Sequence, residues 1–552
     1  MGSKTRDNRF SAFDRRRFLS AGGLTAAGLA MGALTPEAWA QEMRLTSIGG
    51  TARTRYGRVR GLERNGIHQF FSVPYGADAG GQNRFMPPQA PAQWRGINDH
   101  FQIKYTAWNE PGAVEPAPVV TALNRQMPKS EDCLSVNVFT PALDNKPRPV
   151  MVWMHGGGFR TGSGNYLLYD GTNLAKKEDV VVVAVNHRLN LYGFLHLADL
   201  GGEKWAQSTN VGLQDLVATL QWVQDNIENF GGDPDRVTIF GQSGGGGKTT
   251  SVMAMPSAEG LFHRCIAQSG YAFRGQNASQ ATEQAERFIA KLGIRPNQLD
   301  RLQEIDVQQI QDAFYSEPRM PGFGMGPVID GNILPRNQWV PTAPSYSANV
   351  PIMIGSTETE DGWIGPPPYE MDESDMVEQF TSRIANGDAD EGRDLVDLYR
   401  RTYPDRRNRM LWLTADSDNT RRWSAQQISR LKAEQGSAPA YLYFFDWWSP
   451  VHNDRMGSYH TLDIPFVFYN MDIGASMTGS DQARYALAHT MSAAWAAFAR
   501  TGDPNHADMP TWPEFNADDY PTMMFGDSVR VENDPNRETR IAIDTLRRNR
   551  PS

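Results

Sequence analysis

Apolar residues along this chain fall into two rhythms. Short unbroken runs recur at Pro149–Met154, Val180–Val185, Val237–Phe240, Arg264–Gln268, Val350–Ile354 and Ala440–Phe445. A strand without polar alternation is apolar toward both faces, as in a sheet covered by helices on either side. Between the runs the spacing changes. Leu213, Leu216, Val217, Leu220, Val223, Ile227 and Phe230 share one face at about 3.6 residues per turn, and Gly231-Gly232 followed by Pro234 stop that helix. Tyr485–Ala499 is a second long helix, ending before Gly502. Strands alternating with helices predict the α/β class, with a large, mostly parallel central sheet covered by helices. Residues 360–425 are more polar and predict a helical excursion over the sheet. The Pro-rich stretches 86–92 and 365–368 predict surface loops. No repeat and no Gly/Ser linker divides the chain, so residues 41–552 are expected to form a single domain.

Composition narrows the class. Of 552 residues, 40% are apolar and 21% charged, with 51 Gly and 35 Pro, which excludes collagen, coiled coil and wholesale disorder. The formal charge is −9. Residues 1–40 contribute +3 of it, leaving −12 on the rest. Such an acidic chain, with no dense basic run after Arg17, is not expected to bind nucleic acid, because neutralising phosphates needs clustered Lys and Arg. The two cysteines, Cys133 and Cys265, exclude a disulfide scaffold and a zinc site built on C-x-x-C pairs. They can form one bridge; buried thiols are the simpler expectation.

The N-terminus carries a different signature. Asp14-Arg15-Arg16-Arg17-Phe18-Leu19 precedes an uncharged, Ala/Gly-rich run from Phe18 to Leu34, followed by the small-x-small signature Ala38-Trp39-Ala40. A charged segment, an apolar segment and a cut site form a cleavable export signal, and the paired arginines resemble the twin-arginine type. Cleavage after Ala40 and a periplasmic or secreted mature chain of 512 residues are expected. The alternative is a membrane anchor, against which the run is short and Gly-rich for about 30 Å of hydrocarbon.

Candidate chemistry begins at Gly241-Gln242-Ser243-Gly244-Gly245, the one G-x-S-x-G in the chain. A strand-like run enters it and a helix can follow. A nucleophile presented on such an elbow needs small residues two places to either side, where the backbone passes closely. The same stretch, Gln242 to Thr249, comes within one residue of a phosphate-cradling loop, since Lys248-Thr249 fit and Gln242 stands where a glycine is required. Phe445-Asp446 would then supply a distant magnesium-binding aspartate. His155-Gly156-Gly157-Gly158-Phe159 follows another strand-like run. Its glycines can offer successive backbone N–H groups to an oxyanion, or make an ordinary tight turn. An acid and then a base are expected downstream of the serine. Glu358, Glu360 and Asp361 follow the run Val350–Ile354, and His452 and His460 follow Ala440–Phe445. Residue chemistry does not choose among these. His263 comes too early, His489 on its helix reads as a core histidine, and His506 lies in a polar loop.

Several segments, taken in order, resemble the type-B carboxylesterases, α/β-hydrolases that include cholinesterases and bacterial para-nitrobenzyl esterases. They are Phe71–Tyr75, Arg84–Pro88, Ser130–Val138, Asn186–Leu189, Gly232–Pro234, Gln268–Gly270, Thr501–Asn505 and Thr511–Pro513. The resemblance implies an α/β-hydrolase fold with helical insertions over the active site, and serine ester hydrolysis through an acyl-enzyme, without cofactor or metal. Its partner would be a small-molecule ester. Carried over by position, Ser243 is the nucleophile. Glu360, five residues after Gly355, is the acid, and His460, in Tyr459–Phe466, is the base. Gly157, Gly158 and Gly244 would form the oxyanion hole. Two positions depart from the family. It usually has Glu before the serine and Ala after it, where this chain has Gln242 and Gly244, a change expected to loosen the elbow. Some relatives have lost the serine and act as receptors, whereas all three positions here carry usable groups. Oligomeric state and natural substrate are not legible.

Overall fold

The computed structural model describes residues 46–109, 127–316, 326–364 and 370–548. The export signature and the loop 365–368 lie outside these. Strands β1 (Thr46–Arg53), β2 (Arg58–Arg64) and β3 (Ile67–Pro74) are antiparallel, with β4 (Ile97–Asp99) alongside β2. Then come β5 (Ser135–Thr140), β6 (Arg148–Met154), β7 (Val181–Val185), β8 (Gly232–Gln242) and β9 (Arg264–Gln268). β10 (Gln276–Asn277) and β11 (Val328–Ile329) pair with each other away from the main sheet. The series ends with β12 (Ile352–Thr357), β13 (Ala440–Phe445), β14 (Pro521–Phe525) and β15 (Val529–Asn533).

The main sheet runs β1-β2-β3-β5-β7-β6-β8-β9-β12-β13-β14-β15. From β7 to β14 every neighbouring pair is parallel; antiparallel strands flank this block on both sides. The apolar runs explain the centre. β6 and β7 are buried at every position, because helices cover both faces and leave no solvent side for polar residues. Val152, Ile239 and Ile354 point into one core cluster; Trp153, Phe240 and Met353 point into the other.

The long helices lie near their expected places, at Val211–Asn226 with a tight turn to Phe230, and at Arg484–Thr501. The polar stretch after residue 360 is helical, with Glu373–Gln379, Ala389–Thr402, Asn408–Ser417 and Trp423–Gln435. Two expectations change. The run at Val350–Ile354 becomes a strand only from Ile352, since Pro351 offers no N–H, and it continues through the buried polar Gly355-Ser356-Thr357. His489 is exposed beside Asp508 (3.3 Å), on the outer side of its helix rather than in the core. Cys133 and Cys265 are both buried and unbridged.

Candidate active site

β8 ends in the elbow. Ser243 has φ 59° and ψ −126°, a conformation that costs a side-chain-bearing residue a kcal/mol or more, roughly, and persists only under external constraint. The constraint is the neighbouring strand. A Cβ on Gly245 would sit 1.9 Å from the Met154 carbonyl oxygen, and one on Gly241 would meet the same oxygen at 2.6 Å. Only glycine fits two places to either side of the serine. The Ser243 N–H donates to the Gln268 carbonyl (2.8 Å) in β9, and its carbonyl accepts from the Gly247 N–H (3.0 Å), which starts the helix Gly244–Val252. Ser243 itself is half-buried.

Beside the elbow lies the glycine loop. Gly157 (φ 94°) and Gly158 (φ 63°) take left-handed conformations that side chains rarely adopt. A trans peptide points its N–H opposite to its carbonyl, so each N–H is aimed by whatever holds the carbonyl before it. The Gly156 carbonyl accepts from His155 Nδ1 (2.8 Å). The Gly157 carbonyl accepts from the Thr161 N–H (3.0 Å) and hydroxyl (3.2 Å). The Ser243 carbonyl is held within the helix. Among the described residues, no backbone carbonyl takes the N–H of Gly157, Gly158 or Gly244. Gly158 and Gly244 are so close that a Cβ on Gly244 would lie 2.3 Å from the Gly158 nitrogen.

The carboxylate and imidazole come from the next two strand ends. Glu360 opens a short turn after β12, and His460 follows β13; both are buried. His460 Nδ1 donates to Glu360 Oε2 across a short contact, and the His460 N–H donates to the Glu360 carbonyl (2.9 Å). Glu360 Oε1 accepts from the Thr357 N–H (3.0 Å). Burial works against the Glu360 charge, but the His460 imidazole and then Arg421 outweigh it, and the carboxyl ends below its ordinary value. The competing carboxylates point elsewhere. Glu358 pairs with Arg406 and accepts from Trp448 Nε1 (2.6 Å). Asp361 lies near Asp416, whose carboxyl is pushed up to about 6 by burial and then by Asp361.

The serine reaches this pair through its neighbour. Gln242 Nε2 lies 3.2 and 3.3 Å from the two ring nitrogens of His460, so it rests over the ring face, since an in-plane position that close to both would clash with Cε1. Trp363 lies nearly parallel to the same ring (19°, centroids 6.2 Å apart). The Ser243 hydroxyl makes no hydrogen bond among the described residues, so the serine–imidazole link is the one left open. Catalytic contacts of this kind are often long without substrate and tighten when it binds.

Other candidates take no part in this group of contacts. Lys248 of the phosphate-loop pattern is fully buried and donates to the His155 carbonyl (2.8 Å), with no opening toward a nucleotide. Asp446 pairs with Arg530. His263 Nδ1 accepts from the Val237 N–H (3.2 Å), and His506 Nε2 donates to the Thr490 carbonyl (3.1 Å). His452 lies in the loop after β13, in a left-handed conformation (φ 57°). Among the described residues, no three His, Cys, Asp or Glu side chains converge as a metal requires, and no helix is long and apolar enough to cross a membrane. Gln242 and Ser417, whose hydroxyl accepts the Glu360 N–H (2.8 Å), are site residues that sequence reasoning missed as contacts. For Gln242 a signal existed, its place beside the serine.

The family model described as the carboxylesterase family matches residues 50–542. The chain belongs to that family. It is 34% identical over 500 residues to the para-nitrobenzyl esterase of Bacillus subtilis, covering 88% of this chain and 97% of that one. It is 31% identical to the phenmedipham hydrolase of Pseudarthrobacter oxydans, covering 90% and 99%. Among solved structures, the Geobacillus stearothermophilus carboxylesterase superposes with a TM-score of 0.74 at 35% identity, covering 89% of this chain and 99% of that one. An esterase from Clostridium hathewayi, described as hydrolysing aliphatic aromatic polyesters, superposes at 0.77 with 30% identity, covering 91% and 100%. This carboxylesterase has the α/β-hydrolase fold and is a carboxylic ester hydrolase.

Proposed function

We propose that this carboxylesterase hydrolyses small-molecule esters through an acyl-enzyme on Ser243, with His460 as base and Glu360 as the acid that holds it. The observation that carries this is the His460–Glu360 contact with Gln242, the serine's immediate neighbour, against the same ring. Because Glu360 accepts from Nδ1, the imidazole is held with Nε2 free of that proton and able to take one. His460 Nε2 removes the Ser243 proton as Oγ attacks the ester carbonyl. The carbonyl π pair moves to oxygen, where the N–H groups of Gly157, Gly158 and Gly244 receive it, each worth about 3–4 kcal/mol in such sites. The bond to the alcohol breaks, and His460 returns the proton to the leaving oxygen. Water then repeats the steps on the acyl group. Glu360 stays ionised and stabilises the imidazolium.

The test is Ser243→Ala assayed on p-nitrophenyl acetate, p-nitrophenyl butyrate and an aryl carbamate. Turnover is expected to fall about 10⁶-fold. An organophosphate should add mass to the Ser243 peptide of the wild type and not of the variant. Near-normal hydrolysis by the variant removes Ser243 from its role, and an unlabelled wild type favours a non-catalytic relative.

We further propose that residues 1–40 are an export signal of the twin-arginine type, placing the mature enzyme in the periplasm or outside the cell without a membrane anchor. The support is the sequence pattern of Arg15–Leu19, the uncharged run and Ala38-Trp39-Ala40. Intact-mass measurement of exported protein should find Gln41 at the N-terminus; a retained leader on the exported protein contradicts cleavage.

A further inference from the structure

Lys248 stands out among buried groups that the proposed chemistry leaves unused. It lies five residues after Ser243, in the helix that Ser243 begins, and is fully enclosed. Among the described residues no carboxylate pairs with it. Its hydrogen bond runs from Nζ to the His155 carbonyl (2.8 Å). Burial pushes its ammonium down to about 7.

The surroundings are basic as well. The His155 and His187 rings stack with centroids 5.1 Å apart. His155 Nδ1 donates to the Gly156 carbonyl and His187 Nδ1 to the Arg188 carbonyl, both at 2.8 Å. A carbonyl can only accept, so Nδ1 carries the proton on both rings. Burial, followed by the Lys248 charge, holds both imidazoles well below their ordinary range, hence neutral. The nearby Arg188 is matched by Asp215.

An aliphatic side chain of this length would fill the space without the cost of desolvating an amine. What the lysine adds is its bond to His155. Three successive carbonyls at the root of the glycine loop are held: His155 by Lys248, Gly156 by the His155 ring, and Gly157 by Thr161. The first of these anchors alone comes from the helix that carries the nucleophile. It ties the loop and the elbow into one frame, so that movement of the helix moves the donors with it.

We propose that Lys248 is a positioning residue for ester hydrolysis: by holding the His155 carbonyl it keeps the N–H groups of Gly157 and Gly158 registered to Ser243. This rests on the serine-esterase reading above and adds a group that touches neither substrate nor reacting atoms. The side chain acts on the transition state more than on the bound ester, because the oxyanion is what needs aligned donors.

The experiment compares wild type, Lys248→Met, Lys248→Gln and Ser243→Ala. It measures p-nitrophenyl ester kinetics, thermal unfolding, and inhibition by an alkyl trifluoromethyl ketone and by the corresponding unreactive methyl ketone. Lys248→Met is expected to melt at or above the wild-type temperature at neutral pH, since a buried unpaired amine is gone. Its kcat should fall about 10- to 100-fold with KM nearly unchanged, a fraction of what losing a whole donor costs. Trifluoromethyl ketone affinity should fall in parallel, and methyl ketone affinity should hold. Lys248→Gln, whose amide can donate toward the same carbonyl, should recover part of kcat. Wild-type kcat and wild-type trifluoromethyl ketone affinity in folded Lys248→Met overturn the proposal. So does failure of both lysine variants to fold, which makes the lysine a stability element. Retained activity in Ser243→Ala instead removes the reading beneath it.

Discussion

Gly244 is one of the two positions where this chain departs from the general family pattern. Alanine usually stands there, and from the sequence the glycine is expected to loosen the elbow. A Cβ at this position would meet the nitrogen and oxygen of Gly158 at 2.3 Å, so the missing methyl group lets the glycine loop close onto the elbow. Gly244→Ala must therefore displace Gly158 by roughly an ångström or twist its peptide. Losing one aligned donor in such a site costs about 10²–10³ in kcat. A fall in kcat of one to three orders is expected, with melting temperature little changed; wild-type kcat would mean that the loop gives way without cost. Glu360→Gln makes a complementary prediction. The amide can present its N–H to His460 Nδ1 and favour the wrong tautomer, for which about 10⁴ in kcat is the scale. Loss of only a few-fold would leave Glu360 as packing.

At the scale of elements, the helices after residue 360 do more than cover the sheet. Ser417 ends the helix Asn408–Ser417, accepts the Glu360 N–H (2.8 Å) and donates to the Leu413 carbonyl (2.7 Å). Arg406, just before that helix, holds Glu358 away from the imidazole. The excursion thus braces the turn after β12 that carries Glu360, the proposed acid. Ser417→Ala leaves a buried N–H without its acceptor, which costs about 1–3 kcal/mol. A lower melting temperature and a several-fold loss of kcat are expected, and an unchanged melting temperature would show that the turn needs no brace. This dependence was not legible in the sequence, because 57 residues separate the partners and no spacing rule connects them. The strands were legible where they are apolar to both faces. Arg264–Gln268 and Ala440–Phe445 begin and end where their apolar runs do. The end of β12 was not, because Ser356 and Thr357 are polar residues that the fold buries beside β13, and no apolar pattern marks them. His489 misled because a mostly apolar helix still has one wet side. The elbow was legible because backbone crowding against Met154 demands glycines at fixed offsets. Residue chemistry alone does not choose among the three carboxylates, and the family resemblance is what picks Glu360, since which of them turns inward depends on Arg406 and Trp448, far along the chain.

Across the whole molecule, buried ionisable groups set how stability responds to pH. Asp463, three residues beyond His460, is fully enclosed; its Oδ2 accepts from Gln268 Nε2 (2.7 Å). Burial, against that hydrogen bond and with help from Glu360, pushes its carboxyl up to about 6. The folded chain therefore keeps this proton after the unfolded chain has released it. Asp463 takes away stability as pH rises from its ordinary value toward about 6, and the penalty is constant above that. Glu360 acts with the opposite sign. Its carboxyl lies below the ordinary value, so its contribution is present above that value and is lost as pH falls through the folded one. Lys248, at about 7, loses its proton in the fold while the unfolded chain keeps it, so stability rises from about pH 7 toward the ordinary lysine value. Near neutrality the fold thus carries penalties from Asp463 and Lys248 together. Asp463→Asn should remove the first and keep an oxygen for Gln268. Its unfolding free energy is expected to match wild type near pH 4 and to exceed it at pH 7 to 8, by at most about 3 kcal/mol on the scale of 1.4 kcal/mol per pKa unit. Unfolding followed from pH 4 to 8 for both proteins checks this. A difference of the same size at both ends would mean that the side chain acts by shape alone, and that its charge does not govern the acid side of the stability curve.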